Sequence, residues 1–433
     1  MTNPFVAEAG HESIFTVSTP NLKFGVGALG ELGADAAALG MRRVGFFVDR
    51  AVAATEPADV ARRALQAAGI EVAEYADSLC EPNSASFEAA AAFAIEAGVD
   101  GFVSLGGGSV IDTAKAANLL SSYPDEILAY VNAPIGGAKP VPGPLKPHIA
   151  CPTTSGTGSE TTGIAILDLT GIGVKSGIAS ARLKPNLAVV DPTTTLSMPA
   201  GVVAATGFDV LTHAVESFTA RPFTSRLKPD TPAARPPYQG ATPFNDVGAL
   251  AAIRAGGRYL VRAVTDASDL EARYHLMFSA TLAGLAFGTA GVHIPHAMSY
   301  SVATLRHEYV AAGYETLPPM VPHGIAVVVN APAAFRFTAP VNPGRHIEAA
   351  AAMGADVAGA AEEEAGELLA GAFIELMRRT GLPSGLAALG YGEADVPALA
   401  RGAFAQQRPL VMAPRSVSES ELAGIYRDAM RYW

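Results

Sequence analysis

The sequence predicts two domains, an α/β domain with a parallel sheet at residues 1–195 and an all-α domain at residues 196–433. Three observations support this division. A length of 433 residues suits two or three domains. Strand and helix signals alternate in the first half, as expected for parallel strands joined by crossover helices. Beyond the first domain, strand signals become scarce and helical patterns follow one another.

The strands of the first domain are predicted from short apolar runs, because a parallel sheet is buried on both faces. Ala-rich amphipathic segments at 56–69 and 84–97 separate the first three runs and predict helices. The predicted strands are VGFFVD (44–49), IEVAEYA (70–76), GFVSLGG (101–107), PHIACPT (147–153) and LAVVDP (187–192).

The second domain shows helical periodicity with one long interruption. A Pro-rich stretch at 222–244 disfavours regular structure, and we expect an ordered loop there, at a functional site or a subunit contact. The predicted helices lie at 202–220, 245–264, 269–288, 324–336, 345–353, 358–380 and 394–405.

Composition and charge exclude several classes of function. A net charge of −11 argues against a nucleic-acid partner. The N-terminus has neither a secretory signal nor the pattern of a transit peptide, and the apolar runs are too short for a membrane span. Cys80 and Cys151 are far apart and form no C-x-x-C pair. We therefore expect no disulfide, no membrane and a bacterial cytoplasmic location.

Two glycine-rich segments compete for a phosphate-binding role. Gly25, Gly27 and Gly30 fit the G-x-G-x-x-G pattern, but the segment before them contains Pro20 and makes a poor buried strand. The second segment follows a predicted buried strand and opens a helix, where free N–H groups favour a diphosphate. A glycine turn that merely packs helix on strand is the alternative. The second segment comprises Gly106, Gly107, Gly108 and Ser109, followed by Asp112 and Lys115.

Other candidate nucleotide contacts lie where predicted strands end. Thr153, Thr154 and Thr157 follow one strand, and small hydroxyl residues there suit ribose and phosphate contacts. Asp49 ends another strand, where a carboxylate accepts hydrogen bonds from a ribose and repels a 2′-phosphate. This arrangement favours NAD over NADP. A simple Ser/Thr/Gly loop and a helix cap are the alternatives.

One acidic and three histidine side chains form a candidate metal site. Asp209 and His213 are four residues apart, so a helix would place both on one face. His296 and His323 lie in apolar stretches, where an unpaired histidine is costly to bury. A carboxylate with three imidazoles suits Fe(II) or Zn. Spacing alone also fits a surface hydrogen bond and satisfied core histidines, and His293 competes with His296.

Five motifs occur in one order along the chain: GGGSxxDxxK, PTTSGTGSE, GFDxxTHAxE, HAM and PHG. This combination resembles the iron-containing alcohol dehydrogenase family over essentially the whole chain. The resemblance implies an N-terminal dinucleotide-binding domain and a C-terminal metal-binding helical domain, in the dehydroquinate synthase-like fold. It also implies an NAD- and iron-dependent oxidoreductase, a small-molecule substrate and a homo-oligomer.

The resemblance assigns roles to individual residues. The pyrophosphate would lie on the segment Gly106–Ser109 and not on Gly25–Gly30, with Lys175 as a basic residue near the nucleotide. The metal would be held by Asp209, His213, His296 and His323, and the nucleotide contacted by Asp49, Gly106, Gly107, Gly108, Ser109, Asp112, Thr153, Thr154, Thr157 and Lys175.

Within the family, segments such as HESIFTVSTPNLKFG and RPPYQG look like those of hydroxyacid–oxoacid transhydrogenases. That resemblance implies oxidation of 4-hydroxybutyrate coupled to reduction of 2-oxoglutarate. A general NAD-dependent alcohol dehydrogenase is the alternative; a maleylacetate reductase and a non-enzymatic nucleotide-binding protein fit less well.

Two departures from the family pattern affect the predicted chemistry. Many relatives have a second histidine four residues after His296, where this chain has Tyr300. The proton relay therefore falls to Tyr300, His293 or water. The segment between His296 and His323 is also longer than usual, and its Arg306 is a candidate to bind a substrate carboxylate.

Overall fold

The computed structural model describes residues 3–171, 173–305 and 308–433. It separates into an α/β unit, Thr19–Ser197, and a helical unit formed by Met1–Ser18 and Met198–Trp433. The predicted fold class is confirmed, because the first unit contains a parallel sheet between helices and the second is helical.

The sheet of the α/β unit has the strand order β1-β8-β5-β4-β2-β3, and every neighbouring pair is parallel. The central strands are the continuous apolar runs seen in the sequence, with every residue of β4 and β5 buried. The elements of this unit are β1 (Asn21–Phe24), α1 (Leu32–Ala38), β2 (Arg43–Phe47), α2 (Arg50–Ala53), α3 (Glu56–Ala67), β3 (Glu71–Tyr75), α4 (Ser84–Glu96), β4 (Gly101–Gly106), α5 (Gly108–Ser122), α6 (Ile127–Tyr130), β5 (His148–Pro152), β6 (Ile164–Leu169), β7 (Val174–Ala179) and β8 (Leu187–Val190).

Three strands were not predicted, each for a physical reason. β1 begins directly after Pro20 and is an edge strand, so it lacks the apolar run of a central strand. β6 and β7 form an antiparallel pair outside the main sheet. β6 alternates half-buried and buried residues, because one of its faces is less covered than the other.

The first helix of the helical unit is α7, which is buried along most of its length. The apolar core of the unit runs through α7, α8, α9 and the helices that follow. The helices of this unit are α7 (Ala200–Thr219), α8 (Pro243–Thr265), α9 (Leu270–Ala290), α10 (Ile294–Thr304), α11 (His323–Val328), α12 (Ala331–Thr338), α13 (Pro343–Met353), α14 (Ala365–Arg379), α15 (Val396–Phe404), α16 (Gln407–Leu410) and α17 (Glu419–Asp428).

By length and composition alone, α9 and α10, bent by 102° between them, are apolar enough to cross a membrane as a pair, and among the described residues one further stretch is so by itself. It covers the 19 residues His323–Val341, with a mean hydropathy of 1.3. Because 78% of that window is buried within the structure, the stretch belongs to the apolar core of this unit.

The predicted boundary at residues 1–195 needs correction at the N-terminus, because the segment before Thr19 packs with the helical unit. The buried Glu12 carboxylate accepts a hydrogen bond from Arg235 Nε at 2.8 Å. The Thr16 backbone N–H donates to Gln239 Oε1 at 2.9 Å. These partners lie in the Pro-rich stretch 222–244, which is ordered against the N-terminal segment without long regular elements.

Acid should destabilise the α/β unit through His148. Burial, reinforced by the nearby Lys115 cation, lowers the pKa of this side chain from 6.5 to about 3. Its Nε2 lies 2.8 Å from Ser104 Oγ inside the sheet. Because protonation is disfavoured in the folded state, the stabilising contribution is complete above pH 6.5 and decreases as the pH falls toward 3.

We therefore expect His148→Gln to reduce the loss of stability between pH 7 and pH 5 by about 2 kcal/mol. Urea unfolding of the full-length chain at both pH values measures this difference. His275→Gln, at a partly exposed histidine of α9, is the matched control. Identical pH dependence in His148→Gln and the wild type would contradict the assignment.

Candidate metal centre and nucleotide site

Helix α7 aligns three polar side chains on one buried face. Asp209, His213 and Glu216 are spaced four and three residues apart, which stacks them along the helix. Asp209 is 1% exposed, His213 5% and Glu216 0%. Burial of such groups is costly without partners, so their clustering indicates a site.

Two histidines from other elements complete the cluster. His296 lies in the first turn of α10, and its Nε2 is 3.4 Å from Asp209 Oδ1. His323 is the first residue of α11, and its Nε2 is 3.7 Å from the same oxygen. His213 Nδ1 lies 3.6 Å from it. The structure thus brings together all four side chains that the sequence analysis selected as metal ligands.

The atoms that face one another in this cluster suit a cation. Asp209 Oδ1, His213 Nδ1 and His296 Nε2 are buried and make no hydrogen bond to any described residue. Ligand atoms of these three residues lie within 4.8 Å of one another. One oxygen and several imidazole nitrogens converging on one point match the donor set that Fe(II) or Zn accepts. The residues therefore fit the implied metal.

Glu216 fixes the orientation of His296. Its Oε1 accepts hydrogen bonds from the backbone N–H groups of His293 at 2.8 Å and His296 at 3.2 Å, at the start of α10. Its Oε2 pairs with His296 Nδ1. This contact directs the opposite nitrogen, Nε2, toward Asp209. A carboxylate behind a ligating histidine is a common device for setting ring orientation and basicity.

The pKa shifts follow from burial and from these contacts. Burial alone would raise the pKa of Asp209, but His213, His323 and His296 bring it below its usual value. Burial lowers the pKa of His213 to about 3. For His296, Glu216 and Asp209 outweigh burial and raise the pKa to about 9. The pocket therefore stabilises positive charge at the point that faces Asp209.

Close packing holds the elements of the cluster in place. The His213 ring stacks on Phe287 of α9, with ring centroids 4.1 Å apart. Gly324, next to His323, lets α11 approach α7, because a Cβ there would lie 1.9 Å from the Ala205 carbonyl oxygen. The glycine of the PHG motif thus has a packing role, which the motif alone did not reveal.

His293, predicted as a catalytic candidate, is buried at 0% exposure. Its Nε2 lies 3.0 Å from Thr219 Oγ1, and burial lowers its pKa to about 4. Its ring is enclosed by neighbouring side chains, and its relay role stays a prediction. Tyr300, the other candidate, is 8% exposed and lies one turn after His296 on α10. Arg306 lies outside the described residues.

Two of the predicted nucleotide-binding loops, Gly106–Ser109 and Thr153–Thr157, meet at the carboxyl ends of β4 and β5. The Thr153 N–H donates to the Gly106 carbonyl at 2.9 Å. A Cβ at Gly107 would lie 3.3 Å from the Thr154 methyl group, and one at Gly108 would lie 2.6 Å from Thr157. A side chain at Gly108 would therefore collide with Thr157 unless the loops moved apart, whichever ligand they bind.

The first turn of α5 has the properties of an anion site. Gly107 precedes the helix, and no side chain of the described residues caps it. The helix dipole and the free N–H groups thus point toward the Thr153–Thr157 loop. Ser109 accepts a hydrogen bond from the Glu81 N–H at 3.2 Å, and its hydroxyl can still donate. The competing glycines Gly25–Gly30 instead lead into a short 3₁₀ turn next to the edge strand β1.

Two charged candidates for nucleotide binding have interior partners instead. Asp112 accepts hydrogen bonds from the Ile166 N–H at 2.9 Å, from Lys115 Nζ at 3.3 Å and from Ser159. Lys175 is 3% exposed and pairs with Glu81 and with Asp168, the latter at 3.1 Å. Both side chains are satisfied inside the fold, so we reassign them from nucleotide contacts to supports of the loops.

Asp49 caps α2, as the alternative interpretation of the sequence allowed. Its Oδ1 accepts hydrogen bonds from the Ala51 and Val52 N–H groups, each at 2.9 Å. The carboxylate is partly exposed, so its ribose-binding role stays a prediction. Glu216 was not predicted as a site residue, although it stands seven residues after Asp209 on the same helix face, a spacing that could have indicated it.

The chain is similar to known proteins over almost its whole length. It is 45% identical over 421 residues to "Hydroxyacid-oxoacid transhydrogenase, mitochondrial" from Pongo abelii, covering 97% of this chain and 90% of the relative. Relatives from Mus musculus and Homo sapiens carry the same name. Because these relatives are named as mitochondrial, the predicted bacterial cytoplasmic location is wrong.

Solved structures share the fold. A 1,3-propanediol oxidoreductase superposes with a TM-score of 0.83 at 29% identity, over 96% of this chain and 100% of that one. A sulfoacetaldehyde reductase from Bifidobacterium kashiwanohense, solved in complex with NAD⁺, has a TM-score of 0.79 at 26% identity, over 96% and 99% of the two chains. The predicted enzyme class and the predicted cofactors, NAD and iron, are confirmed by these neighbours together with the family match.

Two family models account for most of the sequence. "Iron-containing alcohol dehydrogenase" matches residues 19–192, and "Fe-containing alcohol dehydrogenase family, C-terminal" matches residues 238–430. The first match falls within the α/β unit and the second within the helical unit. The chain therefore belongs to the iron-containing alcohol dehydrogenase family.

Proposed function

We propose that this enzyme is a hydroxyacid–oxoacid transhydrogenase that oxidises 4-hydroxybutyrate to succinate semialdehyde and reduces 2-oxoglutarate to 2-hydroxyglutarate, with NAD as the hydride carrier. The observation that carries the chemistry is the convergence of Asp209, His213, His296 and His323 on one buried point. The substrate class is supported by relatives of that name at 45% identity over 97% of the chain.

We assign the iron to these four side chains and the NAD diphosphate to the Gly106–Gly108 loop and the first turn of α5, with Thr153, Thr154 and Thr157 beside it. Asp49 is the ribose-binding candidate in the same proposal. When bound, iron contributes Lewis acidity toward a substrate oxygen, and NAD contributes a carbon that accepts and returns hydride.

The residues of the chain perform the remaining tasks. Glu216 accepts a hydrogen bond from His296 Nδ1–H and so keeps the lone pair of Nε2 directed toward Asp209. Phe287 covers one face of the His213 ring and excludes water from that side. The buried Asp209 carboxylate provides negative charge where a cation must be held. A metal held by these side chains would position a substrate oxygen for hydride transfer.

Removal of one proposed ligand should remove the metal. We expect the iron content of His323→Ala to be about tenfold or more below that of the wild type, because the coordination set is incomplete. Turnover should fall in parallel. Iron analysis of anaerobically purified protein measures the first effect directly. His275→Ala, whose ring stacks on Tyr259 of the same unit, is the control and should keep its iron. Full activity of metal-stripped His323→Ala would refute the assignment.

We expect Glu216 to affect iron binding through its contact with His296, and not through the stability of the fold. We expect Glu216→Gln to weaken iron binding by roughly 10- to 100-fold, since glutamine still accepts from the backbone but does not increase the basicity of His296. Titration of the apoprotein with Fe(II) under anaerobic conditions measures this affinity. Glu348→Gln, at an exposed position of α13, is the control. An unchanged iron affinity in a folded Glu216→Gln protein would leave Glu216 with a packing role alone.

Transhydrogenation should proceed without added NAD. Incubation of the purified enzyme with 4-hydroxybutyrate and 2-oxoglutarate should yield succinate semialdehyde and 2-hydroxyglutarate in equal amounts over many turnovers. Without 2-oxoglutarate, the reaction should stop after one turnover for each retained NAD. Turnover that requires added NAD would favour an ordinary alcohol dehydrogenase, the second candidate, which the likeness to 1,3-propanediol oxidoreductase supports.

A further inference from the structure

The cationic side chain of Arg408, on α16 of the helical unit, lies beside an aromatic ring. Its guanidinium carbon is 5.0 Å from the centroid of the Tyr238 ring. Helix α16 also packs against α10, which carries Tyr300. No carboxylate of the described residues forms a salt bridge with it, and the side chain is only partly exposed. A bound anion would therefore neutralise the positive charge of Arg408.

The position of this cluster relates it to the proposed metal site. Tyr300 follows His296 by four residues on α10, so the two side chains share a face about 6 Å apart along the helix. Tyr238 packs against the connection between α9 and α10. A Cβ on Gly291 would lie 2.9 Å from the Tyr238 ring, and the neighbouring Gln239 N–H donates to the Thr289 carbonyl at 2.7 Å.

The three side chains together have the donors that a carboxylate requires. A guanidinium forms paired, charge-assisted hydrogen bonds to the two oxygens of a carboxylate. Each phenol can donate its own proton to a carboxylate oxygen beside the N–H groups of the guanidinium. Loss of a donor from such a set costs binding energy only for ligands that carry the anion.

We propose that Arg408, with Tyr238 and Tyr300, binds the carboxylate of both acid substrates. This inference rests on the proposed function and deepens it. In 4-hydroxybutyrate the carboxyl carbon lies three carbon–carbon bonds from the carbon that loses hydride. In 2-oxoglutarate the distal carboxyl carbon lies three such bonds from the carbon that gains hydride. One anion site at a fixed distance from the metal therefore serves both half-reactions, one turn along α10 from His296.

Butyrate, which has the carboxylate but no hydroxyl group to oxidise, is the probe. We expect Arg408→Gln to weaken butyrate binding to the iron- and NAD-loaded enzyme by roughly 10- to 100-fold in isothermal titration calorimetry. The selectivity ratio of kcat/KM for 4-hydroxybutyrate over 1,4-butanediol should fall by a similar factor. Arg401→Gln, at an exposed position of α15, is the matched control and should change neither quantity.

A second variant keeps the test decisive if Arg408→Gln fails to fold or to retain iron. Tyr238→Phe preserves the ring and removes one donor, and we expect it to weaken butyrate binding by roughly threefold to tenfold. Equal butyrate affinity in the wild type and in a folded variant, or no butyrate binding by the wild type, overturns the anion site.

These experiments distinguish a failure of the anion site from a failure of the proposed transhydrogenase function. Butyrate binding that depends on Arg408, in an enzyme that forms no 2-hydroxyglutarate, overturns the transhydrogenase function and supports the anion site. Transhydrogenation in an enzyme whose butyrate affinity does not depend on Arg408 overturns the anion site alone.

Discussion

A single buried carboxylate imposes the arrangement of the helical unit around it. Asp209 lies 1% exposed among Ala- and Val-rich helices, and its Oδ1 faces nitrogen atoms of His213, His296 and His323. Three helices must therefore converge on one oxygen, and Gly324 provides the space for α11 to do so. Glu216 extends the same arrangement outward, because it links His296 to the start of α10. The apolar core surrounds a charged centre whose facing oxygen and nitrogen atoms suit a bound cation.

The α/β unit uses charge in a different way. Its buried ion pairs hold loops together and leave the loop surface to backbone N–H groups and small hydroxyls. Asp112 and Lys115 join α5 to the segment around Ser159, and Lys175 joins β7 to Glu81 and Asp168. A nucleotide diphosphate bound at α5 would then meet fixed dipoles more than mobile side chains, which suits a cofactor that stays bound during catalysis.

The sequence predicted the structure best where a single local pattern determines a strand or a cluster of side chains. The apolar runs of β4 and β5 predicted the buried strands, and the motifs around Asp209 and His296 located the cluster. It failed where a contact joins distant segments, as in the pairing of Glu12 with Arg235. It also failed where the direction of a side chain decides its role. Asp112 and Lys175 stand at the expected positions but point into the protein, and no spacing rule separates these outcomes.

The return of the N-terminal segment to the helical unit has a consequence for biosynthesis. Residues up to Ser18 pair with Phe223, Arg235 and Gln239, more than two hundred positions later in the chain. On the ribosome, the parallel sheet is complete by Val190, whereas the first segment still lacks its partners. The contiguous α/β unit can fold as synthesis proceeds, while the helical unit must wait for late residues. Until then, the apolar and charged side chains of the N-terminal segment stay exposed to solvent.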